Sequence, residues 1–230
     1  LAETIRRTAA RGGIVLIPAF AVGRSQALLH AIQVLKGEHR IPDLPVFLNS
    51  PMAAGATQLY MKWRALHRLD EAACARIEAG TTIVQTLEES KRLNALKWPS
   101  IIVSASGMAT GGRVVHHLKA YADDPRNTIV LAGFQAPGTR GAALAAGATS
   151  IKIHGEYVPV RAQVVQLDGL SAHADREGLL AWLRAMPSAP RRVFVNHGEA
   201  LAADALRLAV EETLRWPALV PESGRSYEID

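Results

Sequence analysis

Short β-branched and aliphatic runs alternate along this chain with helical patterns: 14–17 then 26–35, 46–48 then 53–66, 101–104 then 113–121, and 129–131. That rhythm defines βαβ units and hence an α/β fold with a mostly parallel sheet. Parallel strands joined by right-handed crossovers point the same way, so the loops leaving their carboxyl ends collect along one edge. These loops are 18–24, 49–52, 105–112 and 133–140. They bring Arg24, Ser25, Asn49, Ser50, Ser106, Thr110, Gln135, Thr139 and Arg140 together without one carboxylate. An edge of that composition is expected to face an anion.

Composition narrows the class. With 230 residues, 49% hydrophobic and 20% charged, the chain has enough core for one large or two modest domains and is not a disordered segment. The single cysteine, Cys74, excludes an internal disulfide framework and a thiolate metal cluster, so a metal would need His and carboxylate ligands. The formal charge of +5 favours an anionic partner. No apolar stretch reaches the roughly 20 residues of a membrane span and no signal peptide is apparent, which points to a cytoplasmic protein without membrane contact. The chain opens on Leu1 and enters a helical pattern at once, over 2–10, so it is expected to begin partway through a longer protein.

After residue 148 the pattern changes. Runs at 150–154 and 158–167 around Gly155-Glu156 predict a hairpin. A further βαβ unit is expected to follow: 164–167, then Ser171-Ala172-His173-Ala174-Asp175 into a helix ending near 186, then a strand at 192–195. A right-handed crossover would set those two strands side by side and send His173 and His197, the latter in Asn196-His197-Gly198-Glu199, to one edge. Imidazole ligates zinc or acts as a general acid, and Asp175 or Glu199 can orient it. The plainer reading makes Asp175 a helix cap and His197-Gly198 a turn.

Two other segments carry chemistry. Residues 104–113, Ser-Ala-Ser-Gly-Met-Ala-Thr-Gly-Gly-Arg, run from strand into helix, where small residues and a helix N-terminus suit a phosphate or make a tight turn. Ser104, Ser106, Gly107 and Arg113 are the candidates there, and Gln135 and Arg140 play the same part in 133–140. Gly23-Arg24-Ser25-Gln26-Ala27 looks like a nucleophile elbow, which would make Ser25 the nucleophile of an esterase, although five residues separate it from the strand end. His30, His39 and His67 receive no role, and the adjacent His116 and His117 diverge by about 100° on a helix. His154 suits a phosphate contact or a strand end. Trp63, Trp98, Trp182 and Trp216 are expected in the core.

Taken in order, the Gly13 to Arg24 run, Asn49-Ser-Pro-Met52, 104–112, 133–138, Ser171-Ala-His-Ala-Asp175 and Asn196-His-Gly-Glu199 resemble the β-CASP nucleases, the RNA-processing branch of the metallo-β-lactamase fold. The resemblance implies a Rossmann-like β-CASP domain over 1–168, followed over 169–230 by a C-terminal part of the metallo-β-lactamase αββα fold. It makes His173 the motif B histidine, a general acid or a group beside the metals, and His197 the motif C histidine, a ligand of one zinc. A histidine at motif C is typical of the RNA branch, so single-stranded RNA is the expected partner, with a homodimer also open. The complete active site would hold two Zn(2+), whose hydroxide cuts RNA phosphodiester bonds as an endonuclease or an exonuclease. The family's His-x-His-x-Asp-His motif and its other metal ligands are absent from these residues. The chain is then either the C-terminal portion of a nuclease, inactive alone, or a non-catalytic RNA-binding scaffold.

Overall fold

The computed structural model describes residues 1–167, 169–170 and 173–228. Asp168, where the domain boundary is expected, and Ser171 and Ala172 of the motif before His173 lie outside them. The order is α1 (Ala2–Ala10), β1 (Ile14–Pro18), α2 (Arg24–Gly37), β2 (Val46–Asn49), α3 (Pro51–Lys62), α4 (Glu71–Gly80), β3 (Thr82–Ile83), α5 (Leu87–Leu93), β4 (Ser100–Ser104) and α6 (Arg113–Tyr121). It continues with β5 (Thr128–Leu131), α7 (Arg140–Ala145), β6 (Ser150–Ile153), β7 (Glu156–Pro159), β8 (Gln163–Gln166), α8 (Arg176–Arg184), β9 (Val193–Phe194), α9 (Ala200–Leu214) and β10 (Ala218–Leu219). The chain forms two compact units, 1–170 and 171–230.

In the first unit six strands form one sheet in the order β3-β2-β4-β1-β5-β8, every pairing parallel. The continuous apolar runs explain why. A parallel strand covered by helices on both faces must be apolar at nearly every position, and all five residues of β1 and of β4 are buried, with serines at the two ends of β4. Alternate side chains serve opposite faces. Val15 and Ile17 join Leu28, Leu29 and Ile32 of α2, while Ile14 and Leu16 join Val114, Val115 and Leu118 of α6. Gly13 permits the approach to β5, since a Cβ there would stand 1.9 Å from the Arg126 carbonyl oxygen.

Three expectations about the second half need correction. The hairpin closes on four-residue strands, β6 against β7, and the run 158–167 breaks at Pro159. Its remainder, β8, joins the main sheet beside β5, where Val164 and Val165 align with Ile129 and Val130. The strand containing Val193 therefore does not pair with β8. It pairs in parallel with β10, and the βαβ unit is β9-α9-β10. Of the tryptophans, Trp63, Trp98 and Trp182 are exposed and only Trp216 packs against a core, that of the second unit, built on Leu180, Leu183 and Val210. No helix among the described residues is long and apolar enough to cross a membrane.

Candidate functional site

The four loops gather at the carboxyl edge of the six-stranded sheet as the βαβ rhythm requires. Their polar side chains, however, largely turn inward. Asn49, at the end of β2, is fully buried and joins four elements. Its Nδ2 donates to Ser90 Oγ (2.8 Å) and to His117 Nε2 (2.6 Å), and its Oδ1 accepts from Arg113 Nη1 (2.8 Å). His117 Nδ1 lies 2.6 Å from Asn94 Oδ1. Because that oxygen is an acceptor, Nδ1 carries the proton and Nε2 receives Asn49. Burial, with help from the charges of His116 and Arg113, pushes the His117 imidazole down to about 4, so it is neutral.

This arrangement commits several phosphate candidates to hydrogen bonds within the fold. Arg113 also donates to the Val84 and Gln85 carbonyls at 3.0 and 2.8 Å and thereby closes the β3 to α5 turn onto the edge. Ser104 is fully buried and donates to the Asn49 carbonyl at 2.9 Å. Ser50 is buried as the N-cap of α3, accepting from the Ala53 amide. Gln135 Nε2 ties two loops together by donating to the Gly107 and Gly133 carbonyls, with its Oε1 buried and without a hydrogen-bond partner. Gly107 is buried against Phe20. Short polar side chains at strand ends hydrogen-bond neighbouring backbone, and here that tendency decides the outcome.

Three candidates keep access. Ser106 is half-buried, with its hydroxyl 3.0 Å from that of the exposed Thr110. Arg140 is half-buried and donates through Nε to the Lys152 carbonyl and through Nη1 to the Ala109 and Thr110 carbonyls, leaving Nη2. Arg24, the first residue of α2, has a buried Nε with no hydrogen-bond partner. A cation at a helix N-terminus with no acidic residue in the first turn is electrostatically unrelieved. Ser25 is no nucleophile: it is fully buried and its hydroxyl donates to the Phe20 carbonyl at 2.7 Å, which excludes the esterase reading.

In the second unit His173, Asp175, His197 and Glu199 are all exposed. Asp175 caps α8, accepting from the Gly178 amide at 2.8 Å. His197 lies between the carboxyl end of β9 and α9, with φ +63. Only a few per cent of residues with a Cβ adopt that region, and such strain gathers at functional sites. The Asn196 side chain holds the turn by accepting from the His197 amide at 3.0 Å, and Gly198 continues it at φ +113. Glu199 occupies the N-cap of α9 without a side-chain capping bond. A closed zinc site needs four donors and a catalytic one three. Among the described residues no three His, Cys, Asp or Glu side chains converge, so these residues do not by themselves fit a zinc centre.

The first unit is thus a parallel α/β sheet with four edge loops that hold no carboxylate, and the second is built on a β9-α9-β10 unit with His197 at its strand end. The Beta-Casp domain model matches residues 25–144, and that of the Zn-dependent metallo-hydrolase RNA specificity domain matches 157–221. The chain belongs to the β-CASP family of metallo-β-lactamase-fold nucleases. It is 40% identical over 205 residues to Ribonuclease TTHA0252 of Thermus thermophilus, an alignment covering 86% of this chain and 46% of that protein. An RNase J-like protein of Methanocaldococcus jannaschii is 34% identical over 232 residues, 100% of this chain and 53% of its own length. Transcription termination factor FttA of Methanosarcina mazei is 33% identical over 226 residues, 94% and 36% respectively. The chain thus spans about half the length of the first two relatives.

Sequence reasoning missed the buried Asn49-His117-Asn94 chain. Its members lie 68 and 23 positions apart, and only the appearance of Asn49 in an edge loop hinted at it.

Proposed function

We propose that this chain is the RNA-gripping and motif B/C portion of a metal-dependent ribonuclease that hydrolyses phosphodiester bonds of single-stranded RNA. The observation that carries the reading is the set of four edge loops without a carboxylate, with Arg24, Arg140 and Ser106 still accessible, in a chain whose relatives include a named ribonuclease. Arg24 and the free Nη2 of Arg140 contact phosphates, with Ser106 and Thr110 as hydroxyl donors. His197 is one zinc ligand of a two-zinc centre whose other donors come from outside this chain. His173 protonates the leaving oxygen, and Asp175 and Glu199 keep the surroundings of the two imidazoles acidic.

Two measurements test this. Phosphate contacts release counterions, so RNA affinity falls with salt, and each lost contact lowers the slope of log K against log salt by about 0.7 for a single strand. Arg24→Ala and Arg140→Ala should each bind single-stranded RNA more weakly with a shallower slope; unchanged affinity and slope would remove these arginines from the surface. The chain alone should cleave no RNA with added zinc. Robust metal-dependent cleavage by the purified chain would show that it holds a complete centre and refute the shared-site reading.

A further inference from the structure

The polar side chains of the edge turn inward and apolar ones stand out. Phe20, Val22, Met52 and Phe134, all in the edge loops or at their first turns, are exposed, Phe20 by 45% and Phe134 by 65%. An isolated exposed Phe needs no explanation. Phe20 differs because the structure fixes it. Its carbonyl accepts from both the Ser25 amide (3.1 Å) and the Ser25 hydroxyl (2.7 Å). One edge of its ring rests on two bare glycines: a Cβ at Gly107 would lie 3.1 Å from Phe20 Cδ2 and 3.0 Å from its backbone nitrogen, and one at Gly133 would lie 4.0 Å from Cε2. Gln135 in turn ties the Gly107 and Gly133 loops together by donating to both their carbonyls. A serine, two glycines and a glutamine thus hold an aromatic ring in one place at the sheet edge while leaving nearly half of the residue in solvent.

We propose that Phe20 is a base-stacking platform for single-stranded RNA, beside the phosphate donors. This rests on the RNA reading above and deepens it. A ring held in advance loses little freedom on binding, which is what makes a stacking contact effective. Stacking partners of this kind are interleaved with cationic phosphate contacts in single-strand grooves. Arg24, four residues on and at the start of α2, supplies the cation; the residue is half-buried, with only its Nε out of reach of solvent. The absence of any carboxylate in the four loops fits a polyanion better than it fits a basic protein surface. The platform reads the presence of a flat base rather than its identity, because every base offers a π-face.

The test compares the whole chain with its Phe20→Leu, Phe20→Ala and Phe20→Trp variants on three strands of equal length: oligouridylate, oligoadenylate and an abasic ribose-phosphate strand. Phe20→Ala should weaken both base-bearing strands about ten- to a hundredfold and leave the abasic strand unchanged. Phe20→Leu keeps the packing on Gly107 without a π-face and should show the same loss, whereas Phe20→Trp should restore binding. A 2-aminopurine strand should be quenched on binding to wild type and not to Phe20→Leu. Wild-type affinity for base-bearing strands in a folded Phe20→Leu chain overturns the platform while leaving the RNA reading intact. Equal loss on the abasic strand also overturns it, by making Phe20 merely structural. Failure of wild type to bind any strand refutes the RNA reading itself, and capture of a protein on this face with no RNA affinity does the same.

Discussion

Acidifying the protein tests the buried Asn49-His117-Asn94 chain directly. His117 is fully buried, and its imidazole falls from 6.5 to about 4, through burial first and the charges of His116 and Arg113 second. The folded state therefore binds fewer protons than the unfolded state between these values, and folding is favoured most above 6.5. As the pH falls through that window the unfolded chain gains a proton that the fold refuses. Linkage gives a loss of about 2 kcal/mol on going from about pH 7.5 to about pH 5, and about 3 kcal/mol once the pH reaches the folded value. The carboxylates whose ion pairs or hydrogen bonds hold them low, such as Glu89 and Asp124, lose their contribution at lower pH, so the upper part of the window isolates the histidine. Urea unfolding at the two pH values, read from amide exchange along α6, should show this loss in wild type and not in His117→Gln, where nothing titrates. A parallel fall in the two proteins, or an imidazole resonance of His117 titrating near 6.5, would refute the neutral, doubly hydrogen-bonded assignment.

Two further substitutions separate packing from binding. Arg113→Ala should destabilise the first unit by about 2–4 kcal/mol, because it strips the Asn49 Oδ1 and the Val84 and Gln85 carbonyls of their donor; RNA affinity of the folded fraction, with its salt slope, should stay at the wild-type value. Gly13→Ala should destabilise by more than about 3 kcal/mol or prevent folding, since its Cβ would lie 1.9 Å from the Arg126 carbonyl oxygen and β1 would have to part from β5; thermal unfolding checks this.

The sheet was legible because its signal is local and redundant. Runs such as 14–17 and 101–103 have no polar position to expose, so only a strand covered on both faces accommodates them. The catalytic-family motifs were legible for a related reason, since each lies where a strand ends and a helix begins. The destinations of the edge side chains were not legible. Ser104 and Arg113 have the composition of phosphate ligands, yet a buried carbonyl or amide from a distant loop competes for the same donors, and partners such as Val84 and Gln85 carry no sequence signature because they act through backbone. The β8 pairing failed for want of register information: a short strand such as β9, with two residues, follows the nearest partner its crossover provides, and that was β10.

The ties among Asn49, Arg113, Gln135 and Arg140 have a consequence for how this edge changes over time or by design. Ser104 and Arg113 hold Asn49, and Gln135 and Arg140 hold the Gly107 and Ala109 carbonyls, so the 49–52, 105–112 and 133–140 turns behave as a single cassette. Replacing one of them with the equivalent from a homologue strands hydrogen-bonding groups in the turn it was tied to. Altered substrate choice should therefore arise by exchanging the turns together, or by changing outward residues such as Val22, Met52 and Phe134, which nothing in the cassette depends upon.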